Sequence, residues 1–152
     1  MAEPRQHEHT VYISRMTLRD IKEHFHHTSP YEACGILLGE AAAGGMHIRS
    51  FEPMRNVAPD PLHHFSADPG QWVHHVLHSR NMIGIIHSHP SGGLNPSSED
   101  LAALQHIGEL LKLYGIGCVH PDSGHLDCSL FRIDRESRSA PFKLTPVSLS
   151  LT

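Results

Sequence analysis

A short apolar strand that runs directly into a histidine-rich loop, and from there into a helix, constrains the fold of this chain most strongly. Residues 82–86 read Met-Ile-Gly-Ile-Ile, a pattern that predicts a buried central strand. His-Ser-His-Pro follows at once at residues 87–90, and the Gly- and Pro-rich residues 91–96 predict a loop. The run from Ser97 to Asp100 then opens a helix. The chain must therefore bring the end of a strand and the start of a helix close together.

Short strands and helices alternate along the rest of the sequence, and their order predicts an α/β fold with a mixed β-sheet flanked by helices. One helix is expected to begin near a capping Thr17, with Asp20 completing a capping box, and another at Asp68. The expected strands cover residues 11–13, 34–39, 46–51, 82–86, 115–119, 126–133 and 142–144. The second and third of these are expected to form a hairpin. The 152 residues suit a single domain, with a core from about residue 10 to about residue 145.

Two of the expected helices carry apolar residues at helical spacing, which predicts one buried face on each. On the helix that follows Asp68 these residues are Trp72, Val73, Val76 and Leu77. On the helix that follows Ser97 they are Leu101, Leu104, Ile107, Leu110 and Leu111.

Charge and composition exclude several classes of protein. The net charge is −4 with neutral histidines and no block of Lys or Arg stands out, so we expect no nucleic-acid partner. No apolar run could span a bilayer and the N-terminus has no signal-peptide core, so we expect a cytoplasmic protein without a membrane partner. The three cysteines, with no Cys-x-x-Cys pair, are expected to be reduced core thiols. They are Cys34, Cys118 and Cys128.

The histidines at 87 and 89 have the spacing of a metal site. Residues two apart on a strand point to the same side, so His87 and His89 can bind one ion together. Asp100, in the first turn of the following helix, adds a carboxylate, and this ligand set leaves zinc a fourth position for water. Two alternatives stay open at this point. One is a chance pair in a chain with 16 histidines, which has another His-x-His at residues 7–9. The other is a purely helix-capping role for Ser97 and Asp100.

Further residues make a chance pattern improbable. The sequence His-x-His-Pro, six residues, Ser, two residues, Asp resembles the signature of the JAMM (MPN-plus) metalloprotease family. The residues that meet it are His87, His89, Pro90, Ser97 and Asp100. Upstream, Glu-x-Cys-Gly-x-Leu-Leu-Gly begins at Glu32 and resembles the compact bacterial members of the family. The resemblance extends from the Thr17 helix to the strand that ends at Ile133, and it implies a cytidine-deaminase-like MPN core.

The resemblance also implies a role for each residue. The two histidines and Asp100 would hold one Zn²⁺ ion per chain. Glu32 would act as general base on a zinc-bound water and then as acid toward the leaving amine. Ser97 would donate a hydrogen bond to the developing oxyanion. Glu32 could instead be a solvated loop acid, and Glu40, the other acid nearby, lies past the strand and is the weaker candidate.

The implied reaction is hydrolysis of an amide or isopeptide bond at the C-terminus of a ubiquitin-like sulfur-carrier protein that ends in Gly-Gly. The chain is too compact for the long insertions that grip ubiquitin chains. A carrier tail lying along an exposed sheet edge is the expected mode of binding. The alternatives are a deubiquitinase-like isopeptidase that acts on a protein conjugate, a non-catalytic MPN scaffold, and a nucleic-acid-processing relative, against which the absence of a basic patch counts. The complete set of metal ligands argues against the scaffold.

The remaining histidines are expected to carry no chemistry. Those around the Pro-rich segment and the following helix are His63, His64, His74 and His75. His120 and His125 flank a turn, where surface loop positions are favoured over a second metal site.

Overall fold

The order of strands and helices is the one that the sequence predicts. In a computed structural model of the chain, residues 10–42 and 44–152 are described. Their elements are β1 (Thr10–Ile13), α1 (Arg15–Thr28), β2 (Cys34–Ala42), β3 (Gly45–Met54), α2 (Pro69–His78), β4 (Met82–Ser88), α3 (Ser98–Ile107), β5 (Leu113–Val119), β6 (Leu126–Asp134) and β7 (Lys143–Leu151). The His-x-His pair at residues 7–9 lies outside the described residues.

The seven strands form one closed sheet in the order β1-β3-β2-β4-β5-β6-β7. Strands β2 and β3 pair antiparallel, as the predicted hairpin requires, with Leu37 opposite Phe51. Strand β4 pairs parallel with β5, and β1 pairs parallel with both β3 and β7. The sheet is therefore mixed, as predicted. Its closure into a barrel does not confirm the cytidine-deaminase-like core.

Closure of the barrel also limits how a peptide could add to the sheet. Within the described residues every strand has a neighbour on both sides. A closed sheet has no edge strand. The described strands therefore offer no free edge along which a carrier tail could bind, contrary to the expected mode of binding.

The central strands are buried on both faces. From β2, Leu37 packs in a core cluster with Ile21 and Phe25 of α1. Its neighbour Ile36 points the opposite way, into a second cluster that contains Leu104 of α3. Strands covered on both faces are continuous apolar runs, which explains why β2 and β4 read so clearly in the sequence. The two helices hold the sheet between them, and the candidate site lies where β4 meets α3.

The predicted cap of the first helix is wrong. Ser14, and not Thr17, is the N-cap, because its Oγ accepts a hydrogen bond from the Thr17 backbone N–H at 3.1 Å. The Thr17 side chain is buried and donates to the Arg49 carbonyl at 3.2 Å. The helix therefore begins three residues earlier than the sequence indicated, and Thr17 joins α1 to β3.

The start of α2 is confirmed, but its predicted buried face is wrong. Asp68 caps the helix through Oδ1, which accepts the backbone N–H of Gly70 at 2.9 Å. Trp72 packs against the second core cluster. Val73 and Leu77, however, are 51% and 70% exposed, and Val76 is exposed as well. Helical spacing identified an apolar stripe, but the helix packs on the sheet through only one end of that stripe.

The buried face of α3 is confirmed only in part. Leu104 and Leu111 are buried and Ile107 packs against the same cluster, whereas Leu101 and Leu110 are exposed. The helix ends at Ile107, so Leu110 and Leu111 lie beyond it and no longer follow helical spacing. The apolar periodicity continued past the helix end and could not show where it stopped.

The last strand is longer than predicted. The sequence indicated residues 142–144, while β7 runs from Lys143 to Leu151 and pairs with both β6 and β1. Its serine, threonine and proline content hid the strand, because a half-exposed strand needs few apolar residues. None of the helices in the described part of the chain is long and apolar enough to cross a bilayer.

Candidate active site

The end of β4 and the start of α3 bring two histidines and one aspartate together. His87 Nε2 lies 2.9 Å from His89 Nε2 and 3.1 Å from Asp100 Oδ1. His89 Nε2 lies 3.4 Å from Asp100 Oδ2. His87 is fully buried on the strand, while His89 is half-buried just after it. The three side chains that the spacing picked out therefore converge at one point.

The loop after His89 fixes the orientation of its imidazole. His89 Nδ1 lies 3.0 Å from the carbonyl oxygen of Gly93, and in the neutral ring a hydrogen bond donated there leaves a lone pair on Nε2, whereas the protonated ring can also donate from Nε2 to Asp100. Gly93 has φ +98°, a left-handed conformation that suits glycine and aims this carbonyl at the ring. The His89 backbone N–H donates to the Gly117 carbonyl of β5 at 2.8 Å. The position of the His89 imidazole is thus set by backbone contacts on two sides.

Asp100 is held by two hydrogen-bond donors. The Tyr114 hydroxyl donates to Oδ1 at 3.0 Å, and the Ser97 backbone N–H donates to Oδ2 at 2.8 Å. The Asp100 backbone N–H in turn donates to Ser97 Oγ at 3.1 Å, which completes a capping box. Each carboxylate oxygen also faces one imidazole. The capping role and proximity to the histidines are therefore compatible, because a carboxylate oxygen has more than one lone pair.

Glu32 lies just before β2, against the end of β4. The Ala33 backbone N–H donates to Ser88 Oγ at 2.8 Å, and the Ser88 N–H donates to the Ala33 carbonyl at 2.9 Å. These bonds place Glu32 so that one ligand atom each from Glu32, His87 and His89 lie within 4.8 Å of one another. Glu32 is only 6% exposed, which is unlike a solvated loop acid.

Glu40, the alternative acid, lies at the other end of β2. Its Oε1 accepts a hydrogen bond from Arg49 Nε at 2.7 Å, and both side chains are exposed. It contacts none of the clustered histidines, so Glu32 is the acid that the fold brings to them.

The electrostatics of the cluster follow from burial and proximity. Burial raises the pKa of Glu32 above its ordinary value, with Asp100 adding to the rise and His89 opposing it. Burial alone would also raise the pKa of Asp100, but hydrogen bonds from His87 and His89 outweigh it and hold that pKa well below its usual range. Burial lowers the pKa of His87, whereas the hydrogen bond to Asp100 raises that of His89. Such opposed shifts within one cleft are typical of functional sites.

A cleft of about 230 Å³ opens onto the cluster. Glu32, His89, Ser97 and Asp100 all line it. Leu62 contributes an apolar part of the wall. The cleft therefore gives a substrate access to every residue that the sequence singled out except the buried His87.

Three residues at the site were missed by sequence reasoning. The Phe65 ring stacks on His87 with centroids 4.3 Å apart, and His64, to which no chemistry was assigned, forms an ion pair with Glu99. Tyr114 supports Asp100 and is fully buried. Only Tyr114 carried a signal, because a tyrosine inside an apolar strand needs a partner for its hydroxyl. The 56–67 segment has no regular pattern that could place Phe65 or His64.

A second cluster of histidines lies on the connection between β5 and β6. His120 Nε2 is 2.6 Å from Asp127 Oδ2, and His125 Nε2 is 3.2 Å from Asp127 Oδ1. All three side chains are exposed, as expected for surface loop positions. His74 contacts both His75 and His78 on α2.

The cysteines are in the environment expected of core residues. Cys34 and Cys118 are buried, and Cys128 is partly buried. Burial raises the pKa of Cys34 to about 12, which keeps the thiol protonated and unreactive at neutral pH. This agrees with a packing role for Cys34, although it lies opposite His87 in the sheet.

Comparison with known proteins identifies the family. The family described as "Prokaryotic homologs of the JAB domain" matches residues 14–131. A Thermus thermophilus protein named "Probable TtuB-protein conjugate cleaving protease" is 28% identical over 99 residues, which are 62% of this chain and 64% of that protein. A Desulfitobacterium hafniense protein of known solution structure shares the fold, with a TM-score of 0.69 at 23% identity, over 93% of this chain and 92% of that one. The chain belongs to the prokaryotic JAB-domain family, the JAMM/MPN group that its histidine segment resembles.

Proposed function

We propose that this protein is a zinc-dependent peptidase that hydrolyses an amide or isopeptide bond at the C-terminus of a ubiquitin-like protein. One observation carries the proposal. His87, His89 and Asp100 converge beside a cleft, which His89, Asp100 and the mostly buried Glu32 line. We further propose that residues 1–152 act as a single domain.

The residues present fit a zinc ion. Two imidazoles and one carboxylate are the ligand types of catalytic zinc sites, which keep one position open. His89 presents Nε2 because Nδ1 is bonded to the Gly93 carbonyl, and Asp100 is already oriented by Tyr114. We propose one ion per chain, held by His87, His89 and Asp100. When bound, zinc lowers the pKa of water and polarises the substrate carbonyl.

Glu32 is the proposed general base. Its raised pKa suits a group that takes a proton from the attacking water and then delivers it to the leaving amine. It lines the cleft and lies against His89, so its carboxylate can reach both the water and the scissile bond. No covalent bond between enzyme and substrate is needed, and the buried Cys34 thiol takes no part.

Ser97 is the proposed donor to the oxyanion. Its Oγ accepts the Asp100 N–H, which leaves the hydroxyl hydrogen available for the carbonyl oxygen of the substrate. Ser97 lines the cleft beside Asp100. The capping box therefore orients this hydroxyl group rather than consuming it.

The proposed substrate is a Gly-Gly-terminated sulfur-carrier protein. The name of the Thermus relative describes cleavage of a conjugate between TtuB and a protein, which supports a ubiquitin-like partner for this chain as well. That name favours an isopeptide conjugate, whereas a small adduct at the carrier C-terminus is the leading expectation from the compact chain. A non-catalytic scaffold is the third candidate, and the complete cluster argues against it.

The test uses the zinc-loaded full chain and two probes. One probe is a β-grasp carrier ending in Gly-Gly with a cysteine amide-linked to its terminus, and the other is the same carrier isopeptide-linked to a lysine. Glu32→Gln should retain about one zinc yet lower turnover by about 10²–10⁴-fold, the usual contribution of general acid–base catalysis. Its matched control, Glu40→Gln, should cleave like wild type.

The two probes also separate the candidate substrates. Faster cleavage of the cysteine adduct supports release of a small residue, and faster cleavage of the lysine isopeptide supports the conjugate-cleaving alternative. Wild-type turnover by Glu32→Gln would show that the base is wrongly assigned. Failure of wild type to cleave either probe, with zinc bound, would favour the scaffold.

A further inference from the structure

The side-chain amide of Asn56 is the centre of the segment between β3 and α2. Its Nδ2 donates to the carbonyl oxygens of Glu32 and His64, both at 2.9 Å. Its Oδ1 accepts the backbone N–H groups of Ala58 and Ser66, both at 3.0 Å. An asparagine amide has two hydrogens to donate and two lone pairs on its oxygen. Asn56 uses all of them on backbone groups.

These bonds fold residues 57–66 into a compact loop whose two ends meet at Asn56. The Val57 backbone N–H donates to the Ser66 carbonyl at 2.8 Å, and Asn56 itself forms an isolated bridge with Ala67. Beyond this bridge, hydrogen bonds to the Asn56 side chain join the two ends of the loop in place of further strand pairing. These hydrogen bonds close the loop, and Phe65 also packs against the second core cluster.

The same loop holds the backbone of Glu32 from both sides. The Glu32 N–H donates to the Pro61 carbonyl at 2.8 Å, and the Glu32 carbonyl accepts from Asn56. Sheet pairing of β2 begins only at Cys34, two residues later. The position of the proposed base is thus set by the loop as well as by the sheet.

The loop also forms one wall of the cleft. Phe65 of this loop stacks on His87, and His64 forms an ion pair with Glu99 in the first turn of α3. Asn56 is not among the residues that line this cleft, and it lies instead beside a cavity on the other side of Glu32. Its influence on a substrate must therefore pass through the groups that it holds.

We infer that Asn56 is a positioning residue that fixes the Glu32 backbone and the Phe65 wall relative to the two histidines. This inference rests on the proposed function, because it gives Glu32 the role of base. Small displacements of a reacting group are costly, and about 1 Å can lower a rate by about 10²-fold.

Asn56→Asp tests the inference with almost no change of shape. The carboxylate can still accept from Ala58 and Ser66, but it cannot donate to the Glu32 and His64 carbonyls, which it repels. We expect kcat to fall by about 10²-fold with zinc content unchanged. We also expect faster hydrogen exchange at the Glu32 amide, whose bond to Pro61 depends on the same loop. Asp60→Asn is the control, since it removes the charge of an exposed carboxylate in that loop but leaves an oxygen that can still accept hydrogen bonds from His63 and the Leu62 backbone, and it should cleave like wild type.

The outcomes separate this inference from the proposed function. If wild type cleaves a probe and zinc-loaded Asn56→Asp cleaves at the same kcat, the inference is overturned and the proposed function stands. If wild type cleaves nothing, the proposed function fails, and unchanged exchange at Glu32 in the variant would remove the positioning role too. Asn56→Ala removes the donors without adding charge, and it decides the matter if Asn56→Asp does not fold. Loss of zinc in a folded Asn56→Ala would also overturn the inference.

Discussion

Two clusters among residues 10–42 and 44–152 have the same side chains, two histidines that both lie close to one aspartate, and only one of these clusters is held by bonds from the surrounding fold. In both, each histidine lies within hydrogen-bonding or ion-pair distance of the aspartate. The two clusters differ in what surrounds the three side chains. The site cluster consists of His87, His89 and Asp100, and the hairpin cluster consists of His120, His125 and Asp127.

Burial and supporting bonds separate the two clusters. In the site cluster, His87 is fully buried, Asp100 accepts from Tyr114, and His89 is bonded to a backbone carbonyl. In the hairpin cluster the His120, His125 and Asp127 side chains are 50%, 69% and 46% exposed.

Environment, rather than the identity of the donors, therefore makes the difference. Exposed ion pairs contribute little, because solvent screens them and long side chains lose freedom when they pair. A buried carboxylate between two imidazoles must be satisfied, and the fold supplies the partners that satisfy it. In a chain this rich in histidine, the useful question is which histidines have supporting bonds.

The largest expected difference between variants of the two clusters is in zinc binding and in the rate of substrate cleavage. We expect His89→Ala to lose the bound zinc and reduce cleavage of both carrier probes to background, because it removes one of three proposed ligands. The equivalent hairpin variant, His125→Ala, should keep about one zinc and wild-type cleavage. Metal content by atomic absorption and the cleavage assay measure both. Zinc retained by His89→Ala and lost from His125→Ala would reverse the comparison.

A smaller difference in zinc affinity is expected when a residue that bonds to one or the other cluster is changed. Tyr114→Phe removes the hydroxyl that donates to Asp100, and loss of such a partner typically weakens metal binding by about 10–100-fold. Ser123→Ala removes the hydroxyl oxygen that accepts the His125 backbone N–H, and zinc affinity should not change. Competition with a chromophoric chelator gives both affinities. Equal zinc affinity in Tyr114→Phe and wild type would mean that Asp100 needs no such support.

We expect almost no difference in thiol reactivity between the cysteines that lie beside the two clusters. Cys34 lies opposite His87 in the sheet and Cys128 follows Asp127, and burial raises the pKa of each to about 12. A raised thiol pKa keeps the reactive thiolate scarce until the pH approaches that value. Alkylation of the folded protein at pH 8 should therefore be slow at both and should accelerate only near pH 12 or on unfolding. Rapid modification of Cys34 alone at pH 8, read by mass spectrometry, would contradict this similarity.

The order of elements and the three converging side chains could be predicted because they depend on local pattern. A buried strand that ends in His-x-His and a capped helix start are each visible within a few residues, and their spacing left little freedom for Asp100. Apolar stripes were less reliable. The exposed Val73 and Leu77 follow helical spacing as well as buried residues do, because periodicity shows a face but not whether anything covers it.

The contacts that could not be predicted join distant segments. Phe65 reaches His87 and Asn56 reaches Glu32 from an irregular loop, and no periodic signal fixes where such a loop lies. Closure of the barrel could not be predicted from the sequence for a similar reason. It depends on the parallel pairing of β1 with β7, which are separated by most of the chain.

That closure has a consequence for any shortened form of the protein. The match to the family covers residues 14–131, so β1 and β7, which complete the ring, fall outside it. In a fragment cut to those limits, β3 and β6 would each lose one of their two neighbours, and the apolar surface that now packs against Val11 and Ile13 would be uncovered. Bare strands of this kind invite pairing between molecules. The proposed catalytic residues would all be present in such a fragment, and it would still tend to aggregate.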